Sequence, residues 1–156
     1  MKHPPAPDVI FLVDDDPVAR MLTAAVLEQQ GFEVVQAGTG NAALAVFSTR
    51  RFDCVLLDAL MPGMDGFEVC KSMRRLPNGA NVPVLMLTGL DDEDSIAQAY
   101  EAGATDFLTL PFDLPALAAR TTNLLALRQA QLQLRKRPWN TLDESGHPSC
   151  PPALLH

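Results

Sequence analysis

Five short apolar runs, separated by stretches of helical spacing, constrain this chain more than any other feature. The runs are VIFLV (9–13), FEVVQ (32–36), CVLLD (54–58), VPVLML (82–87) and TDFLT (105–109). Several are apolar at almost every position, the pattern of strands covered on both faces. Amphipathic stretches lie between them. The first, about 17–30, turns Met21, Leu22, Ala25, Val26 and Leu27 inward and stops at Gly31, a natural residue just past a helix end. The second, about 40–50, buries Ala43, Leu44 and Phe47, and the third, about 66–75, buries Phe67, Val69, Cys70 and Met73. The fourth, about 92–102, opens on acidic residues that suit the positive end of the helix dipole, and ends before Gly103. The fifth starts near Asp113 and reaches toward residue 136.

Strict β–α alternation with short connections predicts a parallel sheet with right-handed crossovers. Five strands suit a flavodoxin-like, doubly wound α/β fold of strand order 2-1-3-4-5. Its ligand crevice opens at the carboxyl ends of strands 1 and 3. Both of those strands run into aspartate. LVDDDP (12–17) sets three carboxylates side by side, and CVLLD ends in Asp58. Asp16 precedes Pro17, which favours the first position of a helix, so Asp16 is a natural N-cap. Asp14, Asp15 and Asp58 remain. Three carboxylate ligands plus water suit Mg²⁺, a hard octahedral cation. The ion would offset repulsion that otherwise raises the pKa of one of them. On LVDDDP alone, carboxylates that merely cap helix N-termini are an equal reading. Asp14 and Asp16 also have the D-x-D spacing of aspartate-nucleophile phosphatases, but a helix starting at Pro17 leaves no room for their cap.

The formal charge of −7 argues against free nucleic acid and anionic membrane as direct partners. No apolar run approaches the roughly 18 residues of a membrane span. MKHPPAP has no signal-peptide core, and Cys54, Cys70 and Cys150 form neither a disulfide framework nor a zinc pattern. The expectation is a cytoplasmic protein with reduced thiols. His3 reads as a solvated terminal residue, and His147 with Cys150 makes too small a ligand set for a metal site.

Three further motifs change the weighing. LLDALMPGMDG (56–66) contains Asp58, VLMLTGL (84–90) carries Thr88, and GATDFLTLPF (103–112) spans the last strand. With Asp14 and Asp15, and with the spacing between all of them, they resemble a bacterial two-component response-regulator receiver domain (CheY-like) over about residues 8–127. The resemblance implies that Asp58 is the phosphoacceptor, attacking a phosphohistidine on a sensor histidine kinase or phosphotransfer protein. It implies Mg²⁺ held by Asp15 and Asp58, by the Leu60 carbonyl, and by Asp14 through water. Thr88 would hydrogen-bond the phosphoryl group and Phe107 would be the aromatic switch. Such a domain is a signalling element, not an enzyme, although it can label itself from small donors.

One position departs from the pattern. Leu110 stands where the family has a lysine that reaches the phosphoryl group. Asp14, Asp15 and Asp58 contribute −3 and Mg²⁺ returns +2, so −1 remains where a site with lysine is neutral. Two unit charges 4 Å apart interact by about 4 kcal/mol at an effective dielectric of 20, before screening by solvent in the crevice. Two functions follow: a Mg²⁺-dependent phosphoacceptor that switches its partner or dimer contacts, or a pseudo-receiver that signals by docking without phosphate. Beyond the domain, Leu124, Leu125, Leu127, Leu132 and Leu134 form an apolar stripe. It reads either as an ordinary final helix or as the start of a coiled coil between two copies. We expect a receiver at 8–127, a helical extension at 128–137, and a tail or truncated linker at 138–156.

Overall fold

The computed structural model describes residues 6–89, 93–109 and 113–136. Strands and helices alternate as β1 (Val9–Val13), α1 (Pro17–Gln29), β2 (Glu33–Ala37), α2 (Gly40–Phe47), β3 (Cys54–Asp58), α3 (Gly66–Arg75), β4 (Val84–Thr88), α4 (Glu93–Glu101), β5 (Asp106–Thr109) and α5 (Leu114–Lys136). The strands pair in parallel in the order β2-β1-β3-β4-β5. The flavodoxin-like expectation therefore holds.

The near-continuous apolar runs are explained by two cores. Successive side chains on a strand point to opposite faces. Phe11, Val13, Val55, Leu57, Val84 and Met86 pack with Ala43, Phe47, Phe67, Val69, Met73 and Ala99 from α2, α3 and α4. Ile10, Leu12, Cys54, Leu56, Leu85 and Leu87 pack with Ala24, Leu27, Leu117, Leu124 and Leu125 from α1 and α5. The central strands β1, β3 and β4 thus need apolar residues at both parities. The edge strands β2 and β5 are only partly buried. Strand β4 starts at Val84 rather than Val82, because Pro83 has no N–H for a central ladder. Its carbonyl still accepts from Val55 N at 2.9 Å.

One sequence expectation fails in part. Met21 and Leu22 do not turn inward: they are 60% and 52% exposed, and Ala25 is exposed too. The buried residues of α1 are Thr23, Ala24 and Leu27. The helix has more apolar positions than its sheet-facing stripe can cover, and hydropathy alone does not say which stripe that is. The leucine stripe of α5 also divides. Leu124 and Leu125 belong to the core, whereas Leu127, Leu132 and Leu134 are exposed. The chain separates into two units, Met1–Leu125 and Ala126–His156, and the described part of the second is the final stretch of α5.

The helix starts follow their capping chemistry. Asp16 Oδ1 accepts from Val18 N at 3.0 Å and Ala19 N at 3.3 Å. Thr39 and Asp65 cap α2 and α3 in the same way. Gly31 and Gly103 adopt φ of 94° and 104° just past α1 and α4, where a side chain would be strained. No described helix is long and apolar enough to cross a membrane. Leu110 and Pro111, His3, and the 138–156 segment with His147 and Cys150 lie outside the described residues.

Candidate functional site

Strands β1 and β3 are parallel neighbours, with Val13 opposite Leu57, so the residues that follow them emerge at the same edge of the sheet. Asp14 is held there by its N–H, which donates to the Ala37 carbonyl at 3.2 Å. Its Oδ1 accepts from Asp16 N at 3.0 Å. Carboxylate oxygens of Asp14, Asp15 and Asp58 all lie within 4.8 Å of one another. Asp16 is not part of the group; its carboxylate caps α1.

Asp58 is fixed from three directions. In the sheet it pairs with Leu87 of β4. Its Oδ1 accepts from Leu60 N at 3.1 Å. Behind it, Gly66 N donates to the Ala59 carbonyl at 2.9 Å, and a methyl group on Gly66 would collide with the Asp58 carbonyl oxygen. Only glycine lets the start of α3 sit this close to the strand end. The PGMDG segment signals a turn in the sequence, but not this contact.

Thr88 is the last residue of β4, buried, one residue beyond the partner of Asp58. Phe107 lies on β5 opposite Met86, half-buried, and meets the ring of Tyr100 from α4 edge-on, with centroids 5.7 Å apart. Tyr100 was not singled out by its sequence position.

Electrostatics follow from this crowding. Burial, reinforced by the charges of Asp14 and Asp15, pushes the Asp58 carboxyl up to about 7, against the opposing effect of the Leu60 amide. Burial is also the main reason that Asp14 is raised. The trio therefore resists holding three negative charges on its own at neutral pH. An all-carboxylate donor set with this excess of negative charge fits a hard divalent cation and offers none of the softer ligands that zinc or copper would select.

Residues 10–122 match the family model of the response regulator receiver domain. The chain belongs to the response-regulator receiver family. Among curated relatives, this receiver is 40% identical over 116 residues to the DNA-binding dual master transcriptional regulator RpaA of Synechocystis, covering 74% of this chain and 48% of that protein. It is 39% identical over 128 residues to the response regulator PleD of Caulobacter vibrioides, covering 82% of this chain and 28% of that one. The chain thus spans half or less of the length of these relatives. Among solved structures, the chemotaxis protein CheY4 of Vibrio cholerae superposes with a TM-score of 0.74 at 32% identity, over 76% of this chain and 99% of its own. The receiver domain of the sensor histidine kinase PA1611 of Pseudomonas aeruginosa, described with magnesium coordinated in its active site cleft, superposes with a TM-score of 0.72 at 28% identity. That match covers 78% of this chain and 99% of the other.

Proposed function

We propose that this receiver accepts a phosphoryl group on Asp58 from a phosphohistidine of a histidine kinase or phosphotransfer protein. The observation that carries the proposal is the convergence of the Asp14, Asp15 and Asp58 carboxylates within 4.8 Å at the end of β1 and β3. Leu60 N–H orients the Asp58 carboxylate, one oxygen of which is the nucleophile. An O–P bond forms as the N–P bond of the donor breaks, and the imidazole leaves with a proton from solvent. Mg²⁺ held by Asp14, Asp15, Asp58 and the Leu60 carbonyl would neutralise the phosphoryl oxygens during transfer. Thr88, at the neighbouring strand end, donates a hydrogen bond to the transferred group. The added charge of about −1.5 to −2 then biases the segment that carries Phe107 and Tyr100. Incubation with acetyl phosphate, with and without Mg²⁺, followed by intact-mass measurement, tests this. One Mg²⁺-dependent phosphoryl adduct is expected, and its absence when a stable phosphoryl mimic also fails to bind would sink the reading.

Leu110 favours a second reading, a pseudo-receiver that docks without accepting phosphate. A phosphorylated Asp58 would end it. Under the first reading, Leu110→Lys restores a cation to a site left at −1. Solvent reduces the Coulomb gain of about 4 kcal/mol to an expected acceleration of roughly tenfold in labelling by acetyl phosphate. An unchanged rate would mean that the missing lysine is irrelevant to acceptor chemistry here.

The failed prediction for α1 supports a docking face for the donor. Val18, Met21 and Leu22 are spaced i, i+3, i+4 and are 59%, 60% and 52% exposed, starting two residues after Asp16. Leu60, next to the acceptor segment, is 54% exposed. An apolar face of this kind suits a partner helix laid beside the crevice. Met21→Glu is expected to slow transfer from a phosphorylated kinase at least tenfold, about 1.4 kcal/mol, while leaving labelling by acetyl phosphate unaltered. Equal losses with both donors would place Met21 outside any docking face. On α5, exposed Leu127 and Leu134 lie one heptad apart and support pairing with a second copy through a helical extension of an 8–127 receiver.

A further inference from the structure

Arg20 lies one turn into α1, yet its side chain reaches back to the strand ends. Its Nη1 donates to the backbone carbonyl of Asp14 at 2.6 Å, and its Nε donates to Gln36 Oε1 at 3.3 Å. A Cβ on Gly38 would stand 3.0 Å from Nη1, so the guanidinium lies directly against that glycine. One planar fork thus joins the β1–α1 connection, the end of β2 and the turn after it. The residue is half-buried. Among the described residues it forms no ion pair, although it grips the backbone of one of three clustered carboxylates. Its donors are directed to a carbonyl and an amide, an arrangement that serves geometry more than charge neutralisation.

We propose that Arg20 is a positioning residue for the cation site: by holding the Asp14 carbonyl it fixes the peptide from which the Asp14 and Asp15 carboxylates project toward Asp58. The inference rests on the reading of that trio as a Mg²⁺ site. A ligand set keeps its affinity only while its supporting contacts hold each ligand in place, and losing such a contact typically costs 10- to 100-fold.

Charge and positioning make opposite predictions. A cation beside three carboxylates repels an incoming divalent ion, so on Coulomb grounds its removal tightens binding. If positioning dominates, removal weakens binding. Titration calorimetry of the full chain with Mg²⁺ alone separates the two. Arg20→Met is expected to weaken Mg²⁺ binding about tenfold. Arg20→Lys keeps the charge but not the fork, and is expected to weaken it in the same direction. Gly38→Ala retains the guanidinium and all three carboxylates as groups, pushes Nη1 by a few tenths of an ångström, and is expected to weaken binding by a smaller factor. Thermal melts run alongside, because a merely structural role lowers the melting temperature and leaves Mg²⁺ affinity per folded molecule unchanged. If Arg20→Met does not fold, Gly38→Ala and Arg20→Lys decide. Tighter binding by Arg20→Met, or wild-type affinity in Arg20→Lys and Gly38→Ala, overturns the inference alone. Wild-type protein that binds no Mg²⁺ overturns the trio as a cation site, and this inference with it.

Discussion

Under the proposed function, Asp58→Asn is expected to abolish the phosphoryl adduct and, in the same molecule, to make the metal-free protein more stable at pH 7. The first effect is the loss of the proposed nucleophile: an amide does not take up a phosphoryl group from acetyl phosphate, so the adduct should fall to background. The second follows from where Asp58 sits. Its carboxyl is pushed up to about 7 in the folded protein, from 3.8 as the ordinary value, by burial first and by Asp14 and Asp15 next. A raised carboxyl favours the folded state while both states are protonated, below about pH 4. Its contribution is lost as pH rises from there through 7, because the unfolded chain releases the proton first. Above that window the folded protein carries the whole penalty. Roughly three pKa units would correspond to about 4 kcal/mol, and solvent around a half-exposed group reduces that to about 1–2 kcal/mol.

The amide has no such charge to bury, so the variant should be more stable than wild type by that amount at pH 7 and nearly equal to it at pH 4. Mg²⁺ should raise the wild-type melting temperature by about 3–8 °C and the variant's by much less. Melts of chelated and Mg²⁺-loaded protein at both pH values test this. A variant less stable than wild type at pH 7 would show that the trio is not under the strain described.

Gly66→Val should have the opposite effect on stability, which it should damage together with the chemistry. A Cβ on Gly66 would collide with the Asp58 carbonyl oxygen and come within 2.7 Å of Ala59 Cα and 2.9 Å of the Asp58 carbonyl carbon. All of these are backbone atoms, so no side chain can swing away. Either α3 lifts from the sheet edge or the end of β3 moves. Overpacking against backbone puts the expected loss at about 3 kcal/mol or more. Displacing Asp58 by an ångström should slow labelling by acetyl phosphate about 100-fold in whatever fraction stays folded.

Gly63→Ala is the control. Gly63 has φ of 79° and open space around its missing side chain, so only backbone strain of about 1–2 kcal/mol is expected. Urea denaturation of both variants separates the cases. A Gly66 variant no worse than the Gly63 variant would mean that α3 does not press on the acceptor strand.

The contrast between these two glycines marks how much a sequence reveals. PGMDG announces a turn through residue type, and both glycines belong to that announcement. Which of them needs open φ and which needs open space depends on what lies across the fold, and that is not written locally. The same division holds elsewhere. Strand and helix positions were legible because hydrophobic period and capping chemistry act over a few residues, as Asp16 with Pro17 shows at the start of α1. The parallel order followed from β–α alternation, and with it the meeting of Asp14, Asp15 and Asp58, since neighbouring parallel strands deliver their ends to one edge.

The inward face of α1 was legible only in part: Leu27 is buried as its spacing suggests, but Met21 and Leu22 are as apolar as any core pair and only docking on the sheet selected Thr23 and Ala24 instead. The grip of Arg20 on Asp14 and Gln36 was not legible, nor was the fit of Gly66 beneath Asp58. Period and turn chemistry are properties of short segments, and the alternation that implies a parallel sheet is read along the whole chain; the sequence alone determined these. The buried face of α1, the anchoring of Asp14 on Ala37 and of Arg20 on Gln36, and the close fit of Gly66 beneath Asp58 depend on how whole elements dock, and only tertiary packing decided those.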